Sequence, residues 1–312
     1  MPEEHILKSR DSRIDRKGKR GAPSVGSRGR IVPLVIAASA LALTLFVVFA
    51  PRGSGGNGNA SAPTLGEHLH SLLAFGGTRL LVGTHGASAL SSDGGKSLAV
   101  VTGLDGIDAM ESAASRSGGM LIVAGHDGAK SSTDGGRTWA PYGANLPGTD
   151  IHALALDPGA ARHVVAYVAG TGVFATTDGG RTWRQTTNPP AEPMGTGIIA
   201  GNTILLPAAS GGLSKSSDDG ATWTSLGKGV GGMTLAADPT KSSHLFLSGS
   251  GPLFVSSDAG ATWRQRALPE GAQIVVPGRQ GAAYAAGYGD DKRAHIWSSR
   301  DDGETWLAQN KG

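Results

Sequence analysis

The chain has 312 residues, 28 Lys and Arg against 25 Asp and Glu, and no Cys. The missing Cys excludes disulfides, thiolate metal ligands, a Cys nucleophile and a lipidated Cys anchor. Nine basic residues fall within residues 1–30, whereas the chain beyond Arg52 holds 18 basic against 21 acidic residues; nucleic-acid binding, which needs a positive face, is therefore not expected.

Residues 1–30 read as a basic cytoplasmic tail. Residues 31–50, IVPLVIAASALALTLFVVFA, carry no charge. At 1.5 Å per residue such a helix spans a hydrocarbon core of about 30 Å. The basic flank predicts a single pass through the cell membrane, with the N-terminus in the cytoplasm and everything after the segment outside it. The small-residue sites after Ala50 and Ala62 are each followed by Pro, so an uncleaved signal-anchor is expected rather than a removed signal peptide. Residues 51–63, PRGSGGNGNASAP, read as a flexible linker.

One turn then recurs six times: SSDGGKSL (91–98), STDGGRTW (132–139), TTDGGRTW (176–183), SSDDGATW (216–223), SSDAGATW (256–263) and SRDDGETW (299–306). The shared acids are Asp93, Asp134, Asp178, Asp218, Asp258 and Asp301, spaced 41, 44, 40, 40 and 43 residues apart. Gly supplies the positive φ of a tight hairpin, the Asp carboxylate accepts N–H groups of its own turn, and Trp covers the turn with a large apolar face. An acid needed identically in every copy holds a hairpin, so none of the six is a candidate catalyst. Three further short apolar runs precede each box; in the third unit these are IHALALD (151–157), HVVAYVAG (163–170) and GVFATT (172–177). Four short strands per unit of about 40 residues predict an all-β fold, a six-bladed β-propeller of four-stranded blades over residues 64–312, preceded by one N-terminal transmembrane helix. Each unit begins on its inner strand, so the ring is expected to close by packing.

The pattern Ser/Thr-x-Asp-x-Gly-x-Thr-Trp resembles the Asp-box, or BNR repeat. The first copy departs from it, with Ser97-Leu98 in place of Thr-Trp.

Antiparallel alternation puts the start of each inner strand and the end of the next strand on one face of the ring, opposite the boxes. Alignment of the units places His70, Met110, His152, Met194, Met233 and Gln273 at one level there. His68 shares the face of His70, two residues away. His85 and His126, each six residues before the Ser that opens a box, reach the same face. Imidazole suits Cu, Zn, Fe and Ni, and thioether selects Cu(I). The set His68, His70, His85, Met110, His126, His152, Met194 and Met233 therefore points to a metal site, with copper ahead of zinc. The competing readings are another ligand or a protein partner at these residues, or plain packing of the channel wall. His163, His244 and His295 fall outside the aligned positions and are expected at the surface.

The segments HLHSL, GTHG, AGHDG and DIHAL, with the boxes between them, resemble a group of bacterial exported BNR propellers labelled sialidase- or glycosyl-hydrolase-like. That resemblance implies that His70, His85, His126 and His152 are a feature of the group. The same repeat occurs in photosystem II assembly factors and sorting receptors, which implies protein binding as an alternative. A sialidase would need three Arg, a Tyr nucleophile with a Glu partner and an Asp acid/base; the Arg-Ile-Pro signature of that family is missing. For a two-carboxylate glycosidase the nearest pair is Asp108 and Glu111, read as three apart on one strand and on opposite faces. No catalytic or cofactor-binding residue is assigned. The expectation is a membrane-anchored, extracytoplasmic propeller that binds a ligand at its channel mouth, with protein assembly and sialidase-like hydrolysis as alternatives.

Overall fold

The computed structural model describes residues 63–310 apart from 227, 228 and 250. The basic tail, the apolar segment 31–50 and nearly all of the linker lie outside the described residues. Among the described residues no helix is long and apolar enough to cross a membrane.

The first unit is an antiparallel meander of Leu69–Phe75, Arg79–Thr84, Ser88–Ser91 and Ala99–Val100, hydrogen-bonded in chain order. The same meander recurs with inner strands Glu111–Ala114, Ile151–Leu156, Ile198–Ala200, Thr234–Asp238 and Ala272–Pro277. The inner strands pack side by side around a ring, and Leu69–Phe75 meets Ala272–Pro277 to close it. Sheets pack face to face through apolar clusters. At the closure Leu72, Leu80 and Val82 of the first unit meet Ile274, Val276 and Ile296 of the last. Each such side chain, taken fully out of water, stabilises by about 1.5–3 kcal/mol. One main-chain clasp supplements this packing: Thr64 bridges Arg293, and Leu65 N–H donates to the Lys292 carbonyl (3.2 Å).

Six separate four-stranded blades were expected, and the structure has four. The other two meanders are fused into one nine-stranded sheet by a short extra strand, Gly195–Thr196. Gly197 breaks the inner strand of the fourth unit. Its outer part, Ile198–Ala200, stays with its own sheet, while Gly195–Thr196 pairs in parallel with Ala153–Leu154 on one side and Thr234 on the other. Gly makes this approach feasible: a Cβ on Gly195 (φ +110) would overlap the Met233 carbonyl.

The boxes are built as hairpins. In the second, the Ser132 hydroxyl donates to Asp134 Oδ1 (2.8 Å) and accepts from Gly136 N–H (2.8 Å). Asp134 Oδ1 accepts the amides of Arg137 (2.9 Å) and Thr138 (3.0 Å), and Oδ2 accepts the Thr138 hydroxyl (2.6 Å). The degenerate first copy keeps the same scheme, because Ser97 N–H and hydroxyl both donate to Asp93 (3.0 and 2.6 Å).

Candidate functional site

At the mouth opposite the boxes, three units contribute imidazoles, either at the start of an inner strand or just past the strand that follows it. His70 sits in a bulge near the start of Leu69–Phe75, and His85 directly follows Arg79–Thr84. His152 lies in Ile151–Leu156, and His126 directly follows Leu121–Gly125. His126 comes from the second unit and His152 from the third.

Two carboxylates organise these four rings. Asp108 is only 5% exposed. Its Oδ1 lies 3.4 Å from His70 Nε2, and its Oδ2 lies 3.2 Å from His85 Nδ1 and 3.9 Å from His126 Nε2. Asp150 is half exposed; His126 Nδ1–H donates to its Oδ1 (2.7 Å), which also lies 2.9 Å from His152 Nε2. In the neutral ring that bond puts the lone pair on His126 Nε2, which faces Asp108. His70, His85 and Asp108 form one group whose donor atoms all lie within 4.8 Å of one another; His126, Asp150 and His152 form a second.

Several of these atoms have no hydrogen-bond partner although they are buried: His70 Nε2, Asp108 Oδ1 and both ring nitrogens of His152. His70 Nε2 is near enough to Asp108 Oδ1 but out of line for N–H donation. His152 Nε2 is near enough to Asp150 but out of line for N–H donation. Buried polar atoms are normally paired, and each orphan costs about 1–3 kcal/mol. Burial holds the His70 imidazole below its ordinary pKa, opposed by the Asp108 carboxylate and reinforced by His85, His68 and His126. The neutral ring is the metal-binding form. The hydrogen bond from His126 holds the Asp150 carboxyl below the usual carboxylate range.

A cleft of about 770 Å³ opens beside His70, with His68, Met233, Gln273, Tyr288 and Lys292 among its lining residues. The His68 and His70 rings are 6.4 Å apart, and Met233 is 53% exposed. Met110 precedes the inner strand of its unit, its N–H donating to the Asp108 carbonyl (2.8 Å), and Met194 N–H donates to the Pro207 carbonyl (3.0 Å). His163 and His244 are not the surface residues expected: their side chains are 12% and 11% exposed and face Asp219 and Asp238.

Sequence reasoning missed Asp108 and Asp150 as members of this site. The signal was available: each stands two residues before an aligned mouth position, Met110 or His152, as His68 does before His70. Asp108 and Glu111 also do not share a strand, because Asp108 precedes Glu111–Ala114. Glu111 is buried, accepts the Thr196 hydroxyl (2.6 Å), and has its pKa raised by burial.

No family model matches the chain, and no curated protein sequence does. Among solved structures, the GH74 xyloglucanase of Xanthomonas campestris is similar at 18% identity and a TM-score of 0.53, over 80% of this chain and 46% of that one. YCF48 of Cyanidioschyzon merolae is similar at 15% identity and a TM-score of 0.49, over 80% and 88%. A YCF48 bound to D1 peptide is similar at 19% identity and a TM-score of 0.44, over 60% and 64%. The chain thus spans less than half of the xyloglucanase and less than two thirds of the peptide-bound YCF48. At such identities the likeness reaches the fold and goes no further: the chain is a β-propeller.

Proposed function

We propose that this chain is a membrane-tethered propeller, held outside the cytoplasm by residues 31–50, that binds a divalent transition-metal ion at its channel mouth through His70, His85 and Asp108. One observation carries the reading: His70 Nε2 and Asp108 Oδ1, buried and without hydrogen-bond partners, face each other at 3.4 Å. Two ligands of a tetrahedral ion with bonds of about 2.0–2.1 Å stand about 3.3–3.4 Å apart. The 3.2 Å from Asp108 to His85 is close to the same edge. His126 Nε2 is placed to complete the set, with Asp150 fixing its ring as an outer carboxylate commonly does for a ligand histidine. Imidazole with carboxylate suits zinc(II) or copper(II) rather than copper(I).

The test is a titration of the full-length, chelator-treated protein with zinc(II) and with copper(II). An ion present at 100 times its Kd stabilises the native state by about 2.7 kcal/mol, raising the Tm. The rise should vanish in a His70→Ala/His85→Ala variant. An unchanged Tm with both ions would sink the reading.

The cleft favours a second reading, capture of a small ligand or a protein segment beside the ion, for which Met233 and Tyr288 offer apolar contact. Cross-linking from a Met233 position in intact membranes tests it. Glycoside hydrolysis gains no support from Asp108 and Glu111, since one carboxylate is engaged by imidazoles and the other is buried against Thr196.

A further inference from the structure

We infer that His126, Asp150 and His152 hold a second divalent ion, and that the His126 ring lies between the two ions as the shared ligand. The inference rests on the single-ion reading above and extends it. An ion held by His70, His85, Asp108 and His126 has four ligands and is complete, yet it leaves both nitrogens of His152 buried without a partner. Buried polar groups left in that state are costly. His152 Nε2 is 2.9 Å from Asp150 Oδ1 but out of line for donation, the relation of two donors that face a common point rather than each other. The His126 and His152 rings stand edge to face with centroids 5.1 Å apart, so both can reach one position. Each group offers two imidazoles and one carboxylate, a set used for divalent transition ions. His126 joins them: its Nε2 is 3.9 Å from Asp108 Oδ2 of the first group, and its Nδ1 is 2.7 Å from Asp150 Oδ1 of the second. For the second ion to enter, the His126–Asp150 hydrogen bond opens and the Nδ1 proton leaves to solvent, so that the ring, now an imidazolate, offers Nε2 to the first ion and Nδ1 to the second.

The experiment measures zinc retained per chain after the full-length protein is stripped with chelator, loaded with zinc(II) and desalted. Two zinc per chain are expected in the native sequence, falling to one in His152→Asn or Asp150→Asn, and to one in His70→Asn. A native count of one that survives His152→Asn would overturn the second ion while leaving the proposed function standing, with Asp150 only orienting His126. A count of two unaffected by His152→Asn would place the second ion elsewhere and overturn the inference. A native count of zero would remove both readings. Should a variant fail to fold, copper(II) loading of the native chain still decides. Two equivalents bridged by the His126 ring should give a broadened, coupled paramagnetic resonance spectrum, and two sharp isolated-ion spectra would overturn the bridge.

Discussion

The hydroxyl that opens each box carries more than its size implies. Ser132 is 2% exposed and is the acceptor for the buried Gly136 N–H. Ser132→Ala would orphan that donor and free the Asp134 carboxylate from one of its four hydrogen bonds. A loss of about 1–3 kcal/mol in a denaturant titration is expected, and an unchanged midpoint would contradict the assignment. The Trp position is more forgiving. Leu98 stands where other boxes have Trp, and it packs against the cluster that closes the ring. Residue roles of this kind were legible in the chain, because each box is a local hairpin whose bonds span four residues. Asp108 and Asp150 share the local spacing of the mouth positions, but their pairing with imidazoles of the preceding unit is not written in that spacing.

At the scale of one element, the strand Gly195–Thr196 alters the expected architecture. It ties two inner strands together with main-chain hydrogen bonds, Thr196 N–H donating to Met233 O and Gly197 N–H to Leu154 O (both 2.8 Å). Gly195→Ala would place a Cβ into the Met233 carbonyl at a φ that L residues avoid. A destabilisation of about 3 kcal/mol is expected, read as a lower unfolding midpoint. The same substitution at Gly201 (φ +60), where a Cβ meets nothing, should cost less. The repeat period gave no hint of this strand. The unit keeps its 40-residue length, and only the crowding of three inner strands around one channel decides that a Gly-flanked pair leaves its own sheet.

For the whole molecule, the boxes make stability depend on acid. Six carboxylates are held below their ordinary pKa, each mainly by its own turn: hydroxyl and backbone bonds from Thr262 and Thr305 bring Asp258 and Asp301 to about 2, and the others shift the same way. Asp93 is lowered by the Ser97 bonds against an opposing burial cost. A carboxylate with a depressed native pKa contributes stability in full above its unfolded value near 4, and that contribution is lost as the pH falls through the native value. The contribution of the boxes should be constant from pH 7 to about 5, and the full-length chain should lose stability steeply between pH 4 and 2. A flat profile through that window would contradict the hydrogen-bonding scheme. Glu111 acts in the opposite sense. Its raised pKa means that the unfolded chain ionises first, so its contribution weakens as the pH rises above the ordinary Glu value.

The amino-acid sequence alone determined the recurring hairpin, the strand periodicity and the face on which His70, His85, His126 and His152 meet, because these follow from bonds within one turn and from the two-residue alternation of a strand. Tertiary structure alone decided that Asp108 and Asp150 join those imidazoles and that two units share one sheet. Both depend on distances between inner strands that converge on a narrow channel, and such distances are set by how neighbouring units pack.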